Sequence, residues 1–251
     1  MTINHLNAIG FYIESEIDFQ QLIEKMTQEP AITFNTEGGK YVRVWDESSG
    51  VELWFYVDKF QNILGLNPHY HGVAKRKSNI INKITIQDSQ FEGLFDCWAI
   101  PITPEDNEYP YTFNAPDLNL NELKMGSNYD VQLVGFPHEI QCFDDEKEYD
   151  ESQTTEFKYA PRSFVPIGQF NDSEEVDTML NEPLGLLTGT ILKIENKVNK
   201  YTSLPFLVIL VDTLCGEIEI VTLTEWLNKE PKVGGILSGT FWLSGKIWGG
   251  K

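Results

Sequence analysis

Apolar and polar positions alternate most cleanly near the end of the chain. From Thr188, the side chains of Thr188, Thr190, Leu192 and Ile194 share one side of an extended segment. Gly189, Ile191, Lys193 and Glu195 share the other, the period-two signature of a strand over residues 186–195. Residues 204–213 hold an unbroken apolar run, Phe206 to Val211, which predicts a strand covered on both faces. Residues 217–221 read Glu-Ile-Glu-Ile-Val, a half-buried strand. Thr224 is a candidate N-cap for a short helix at residues 225–228. Residues 236–247 form a last strand, in which Gly239 and Gly245 mark bulges or sharp coiling.

Earlier in the chain the pattern is mixed. Residues 5–13 read as a strand. Asp18 stands three residues before Gln21, a helix-start signature. Phe19, Leu22, Ile23 and Met26 then recur at helical spacing until Pro30. Residues 41–45 predict a strand with Tyr41, Arg43 and Trp45 on one face and Val42 and Val44 on the other. Residues 51–58 are its partner, residues 61–71 a loop, and residues 80–86 a further strand. Residues 91–102 suit a buried strand, and residues 101–116, with four prolines and three acids, an irregular connection. Two strands at 128–134 and 139–143 are expected around a turn at Gly135 and Pro137, then an exposed acidic loop at 144–151. Asp172 and Glu175 suggest a second capping box leading into Val176, Met179 and Leu180.

The fold class expected is α+β and mostly β. Residues 1–90 give an antiparallel sheet with a covering helix, residues 91–183 an acidic β-rich segment packed on either neighbour, and residues 184–251 a small barrel. Three strands, a short helix and a strand in that last block resemble the oligonucleotide/oligosaccharide-binding (OB) fold. The fifth strand of such a barrel can be supplied by residues 164–170.

Charge changes the functional picture more than composition does. The chain of 251 residues carries a net −19. Residues 91–183 hold 4 Lys/Arg against 21 Asp/Glu, a net −17. Such acidity repels phosphate backbones, making double-stranded nucleic acid a poor partner, and attracts a basic protein. Asp144, Asp145, Glu146 and Glu148 are the candidate contact residues. No apolar window of about 18 residues predicts a membrane span. Residues 1–5 lack the basic and apolar regions of a secretion signal. Cys97, Cys142 and Cys215 form no CxxC pair, so free thiols in a reducing cytoplasm are expected.

His69 and His71 are the sharpest chemical candidates. A spacing of two puts both imidazoles on one side of an extended segment, which suits a divalent metal completed by Glu52, Asp58 or His5. The first strand, helix and strand pair also resemble the βαβββ modules of the glyoxalase/dioxygenase superfamily. That resemblance implies a metal held at His5 and Glu52. Glu217 and Glu219 share a face expected to be solvated. In the barrel, Phe241, Trp242, Trp248 and Tyr201 are candidate stacking platforms for a single strand or a sugar, with Lys193, Lys197, Lys200 and Lys246 as the basic groups of the groove. No phosphate-cradling loop and no GxSxG motif occurs. The leading expectation is a non-enzymatic, cytoplasmic, bacterial-type protein that binds a basic protein through its acidic surface. A metal-dependent enzyme and an OB-type binder are the alternatives.

Overall fold

A computed structural model describes residues 4–86, 89–101, 108–154, 158–167 and 182–248. Helix α1 (His5–Ala8) starts where the Asn4 side chain accepts from the Leu6 backbone N–H at 2.9 Å. Helix α2 (Glu16–Met26) starts at a reciprocal cap: Ser15 Oγ accepts from the Asp18 N–H, and Asp18 accepts from the Ser15 N–H. The first element is therefore a short helix, not the strand expected at residues 5–13. The α2 cap is Ser15, with Asp18 three residues inside it.

Four antiparallel strands follow in sequence order: β1 (Ala31–Thr36), β2 (Gly39–Trp45), β3 (Val51–Asp58) and β4 (Ile63–Tyr70). In β3, Val51, Leu53, Phe55 and Val57 join α1 and α2 in one apolar cluster, while Trp54 and Tyr56 join Tyr41 and Phe91 in another. The faces expected of β2 hold: Val44 enters the first cluster and Tyr41 the second. Residues 61–71 are mostly strand rather than loop. β4 is the edge of its sheet, and an edge tolerates Pro68, which has no N–H to give.

The second sheet has nine strands: β5 (Arg76–Thr85), β6 (Gly93–Ala99), β7 (Tyr109–Asn114), β8 (Ser127–Phe143), β9 (Ser163–Val165), β10 (Leu184–Val198), β11 (Pro205–Thr213), β12 (Gly216–Thr222) and β13 (Ile236–Trp248). A third helix, α3 (Glu146–Ser152), stands where an exposed loop was expected; the Asp145 carboxylate caps it by accepting from Glu148 N–H at 2.8 Å.

The pairings close two circuits. β10–β11–β12–β8–β13 returns to β10, with β12 and β8 parallel. β8 and β13 also close a ring through β5, β6 and β7. The fifth strand of the OB-like barrel is thus β8; β9, within the stretch expected to supply it, pairs with β10 at the sheet's end. β8 is a single strand of 17 residues, not two strands around a turn. Pro137 sits opposite Phe241, where the ladder shifts register, so its missing N–H breaks no regular pairing. Gly135 lets β12 approach, because a Cβ there would lie 2.5 Å from Ile220 Cδ1. β7 likewise replaces part of the irregular connection expected at residues 101–116.

One large core fills both rings. It includes Ile80, Phe95 and Phe113 from the second ring, Ile191, Ile209 and Ile218 from the first, and Leu133 and Leu243 from the shared pair. β11 is covered on both faces as its composition predicts: Leu207, Ile209 and Val211 enter the ring core, while Phe206 and Val208 pack against the four-stranded sheet's cluster. The capping box expected at Asp172 and Glu175 lies outside the described residues.

Candidate functional site

Glu52 organises the site. It stands in β3 between apolar neighbours and is fully buried. An ionised carboxylate there requires paired charge and hydrogen bonds, and the structure supplies both. Arg43 from β2 bonds Oε1. Lys246 Nζ, from β13, lies 3.3 Å from each oxygen. Trp54 Nε1 donates to Oε2 at 2.7 Å, and His71 Nδ1 lies 3.1 Å from Oε1. Burial alone would push the carboxyl's pKa up. The contact with His71 and the charges of Lys246 and Arg43 outweigh it and hold Glu52 well below the usual carboxylate range.

The aromatic frame is equally dense. The Arg43 guanidinium lies 4.2 Å from the Trp45 ring centre and 5.6 Å from that of Trp54. Lys246 lies 5.1 Å from the Trp54 ring and Lys75 3.6 Å from that of Trp248. His71 sits between Trp45 at 5.2 Å and Trp248 at 5.4 Å. These groups border a groove of about 560 Å³ where the four-stranded sheet meets the end of β13 and the turn Leu118–Leu120. That volume falls in the range of roughly 300–1,000 Å³ usual for small-molecule sites. Asp117 also lines it; burial raises its pKa against the charge of Lys246 and a hydrogen bond from Asn121.

Of the residues expected to gather round a metal, Glu52, His69 and His71 come together and His5 does not. Glu52 and His69 face each other across β3 and β4. His69 is fully buried, with Nδ1 2.8 Å from Ser244 Oγ and Nε2 2.9 Å from Gln132 Oε1. Gln132 Nε2 donates to the Tyr70 carbonyl, which fixes Oε1 as the atom facing His69. Nε2–H therefore donates to Gln132, and Nδ1 accepts from the Ser244 hydroxyl. The ring's lone pair is engaged, and burial pushes its pKa down to about 3. His5 lies elsewhere, stacked on Trp242 at 4.4 Å with Nε2 3.3 Å from His138 Nε2. Among the described residues, no group of three or more His, Cys, Asp or Glu side chains is arranged to hold a metal ion.

The remaining candidates separate. Trp248 is partly exposed and borders the groove. Trp242 packs against the first apolar cluster with Phe136, 5.4 Å away, and Tyr201 is buried in that cluster. Asp144 pairs with Lys229 at 3.3 Å and Lys232 at 3.1 Å, and Glu148 with Lys229 at 2.8 Å. Asp145 is the α3 cap, while Glu146 is exposed. Glu219 is buried rather than solvated. Its carboxylate accepts from the backbone N–H groups of Val73 and Ala74, each at 3.2 Å, and so anchors the segment joining His71 to Lys75. Cys97, Cys142 and Cys215 are free and buried.

The chain matches no family model, no curated protein and no solved structure.

Sequence reasoning missed Arg43 and Trp54 as site members, and placed Lys246 in the barrel's basic groove rather than beside Glu52. A signal for them was present. Glu52 interrupts the apolar strand Val51–Asp58, and a carboxylate inside such a strand calls for a cation on the neighbouring strand. Arg43 lies diagonally across, paired in register with Trp54.

Proposed function

We propose that the protein is a non-enzymatic binding protein whose ligand enters the groove bordered by Trp54 and Trp248. One observation carries this reading: two buried-stem cations, Arg43 and Lys246, converge with His71 on a single carboxylate beneath an aromatic-walled groove. Glu52 is held ionised from several directions, which leaves it unsuited to exchange protons with a substrate. His69 is locked by two hydrogen bonds. The arrangement positions charge and flat apolar surface, the two elements of ring recognition. It moves the OB-type binding reading from the barrel face to the groove.

The test is a titration of tryptophan fluorescence with neutral and charged ring compounds, repeated on Trp248→Ala. At least one compound quenches saturably, and the variant weakens it by about tenfold, the scale of one lost stacking contact. Absence of saturable quenching by any compound, or unchanged affinity in the variant, contradicts the reading.

A second reading, capture of a basic protein, draws on the net −17 of residues 91–183 and on α3, which exposes Glu146, Asp150 and Glu151. Such capture weakens as salt rises; retention that ignores salt counts against it. Three free, buried thiols suit a cytoplasmic setting for either reading. No helix among the described residues is long and apolar enough to cross a membrane.

A further inference from the structure

We infer that the ligand of the groove is a flat ring bearing one oxyanion, a carboxylate or a phosphate. This rests on the groove reading above and names its chemistry.

The first argument is charge. The chain as a whole is strongly acidic, at −19, yet the groove collects cations. Arg43 and Lys246 line it, and Lys75 stands at its rim over Trp248. The carboxylate set against them, Glu52, is fully buried and has both oxygens engaged. Asp117 also lines the groove, so three cations stand against two carboxylates. The local balance is therefore positive, and it selects an anion.

The second argument counts hydrogen bonds. A guanidinium carries about five N–H donors and an ammonium three, against roughly four acceptor positions on one carboxylate. Trp54 Nε1 competes for the same four. Arg43 Nε, Trp45 Nε1 and His71 Nδ1 are buried with no hydrogen-bond partner among the described residues. Donors outnumber acceptors at this site, so a ligand completes it by bringing acceptor oxygens. Two oxygens of a carboxylate or a phosphate match the guanidinium fork and gain from charge assistance.

The third argument is shape. Trp248, partly exposed, presents a flat surface to a space of about 560 Å³ whose wall the buried Trp54 completes, room for one or two fused rings and their anionic group. A long polyanion extending beyond the groove would meet the repulsion of a chain carrying a net −19. A compact anion avoids that cost.

The experiment is isothermal titration calorimetry on the full chain with two matched pairs: indole-3-acetate against indole-3-acetamide, and AMP against adenosine. In at least one pair the anion binds about tenfold or more tightly than its neutral partner. That preference shrinks severalfold between about 50 and 500 mM salt. Lys75→Met, at an exposed position, weakens the anion about threefold and leaves its neutral partner unchanged. Lys246→Met removes most of the preference; circular dichroism checks that this variant folds, and Lys75→Met carries the test if it does not. A preference confined to indole-3-acetate assigns a carboxylate, and one confined to AMP a phosphate. Equal binding of charged and neutral partners, still lost in Trp248→Ala, overturns the oxyanion and leaves the groove standing. No saturable binding by any of the four overturns both.

Discussion

At the scale of single residues, the balance around Glu52 is the most exposed to test. Glu52→Gln removes the anion that Arg43 and Lys246 face, leaving two largely buried cations uncompensated. Breaking a buried pair by deleting one partner costs about 3–5 kcal/mol, so the urea midpoint at pH 7 falls well below that of the unchanged protein. His69 controls a separate response. Its folded pKa of about 3 lies under its ordinary 6.5, so below pH 6.5 the unfolded chain binds the extra proton and the folded chain does not. Stability therefore drops as pH falls through that window, by about 2 kcal/mol between pH 7.5 and 5. His5, lowered to about 4 by burial and by His138, acts in the same direction. Glu219, raised by burial against its two backbone hydrogen bonds, acts oppositely just above its ordinary range. His69→Gln keeps a polar group at the same place and removes about half of the loss that His69 and His5 cause together, measured as urea midpoints at the two pH values. Glu52, His69 and His71 could be singled out from the sequence, because histidines two apart and a carboxylate inside an apolar strand are local features. Lys246 could be noted as a cation near Trp248 but not placed beside Glu52, since only the closing of β13 onto the sheet brings it within 3.3 Å of a residue 194 positions earlier.

At the scale of elements, the misread stretches share a cause. Gly and Pro mark turns in most settings, yet here Pro68 lies in an edge strand and Pro137 at a register shift. Their positions in the sheets, set by distant partners, remove the penalty that the local sequence announces. The acidic stretch after Phe143 misled in another way. Asp145 caps α3, and Lys229 and Lys232 draw off charge that would keep the segment apart from the fold. Strands with strict alternation or continuous apolar runs, such as β3 and β11, were legible because burial on one or both faces is written in their own residues. The segment from His71 to Lys75 gives a test at this scale. A Cβ on Gly72 would lie 1.6 Å from Glu219 Oε2, so Gly72→Ala displaces the carboxylate from Val73 and Ala74. Overpacking of this kind costs about 1–3 kcal/mol. Hydrogen exchange at those two amides quickens, with little change in β11; unchanged protection there would contradict the anchoring role of Glu219.

At the scale of the molecule, the two strand circuits share β8 and β13, so neither ring is complete without the other half of the chain. Residues 184–251 look like a barrel in sequence, but the fifth strand comes from Ser127–Phe143. Expressed alone, residues 184–251 should show the narrow amide dispersion of an unfolded chain. Adding residues 127–183 restores the β8 partner and shifts the spectrum toward structure. The same closure builds the groove, because it delivers Lys246 and Trp248 from the end of β13 to the face of a sheet made by the first quarter of the chain. The account's central claim is that recognition happens there and not on the barrel surface. It is tested most directly by following the six indole N–H signals by nuclear magnetic resonance during titration with indole-3-acetate and with AMP. The account predicts that Trp54 and Trp248 move first and saturate together, while Trp98, Trp226 and Trp242 stay in place. Movement led by Trp242, or no movement at Trp54 and Trp248 with either compound, contradicts it.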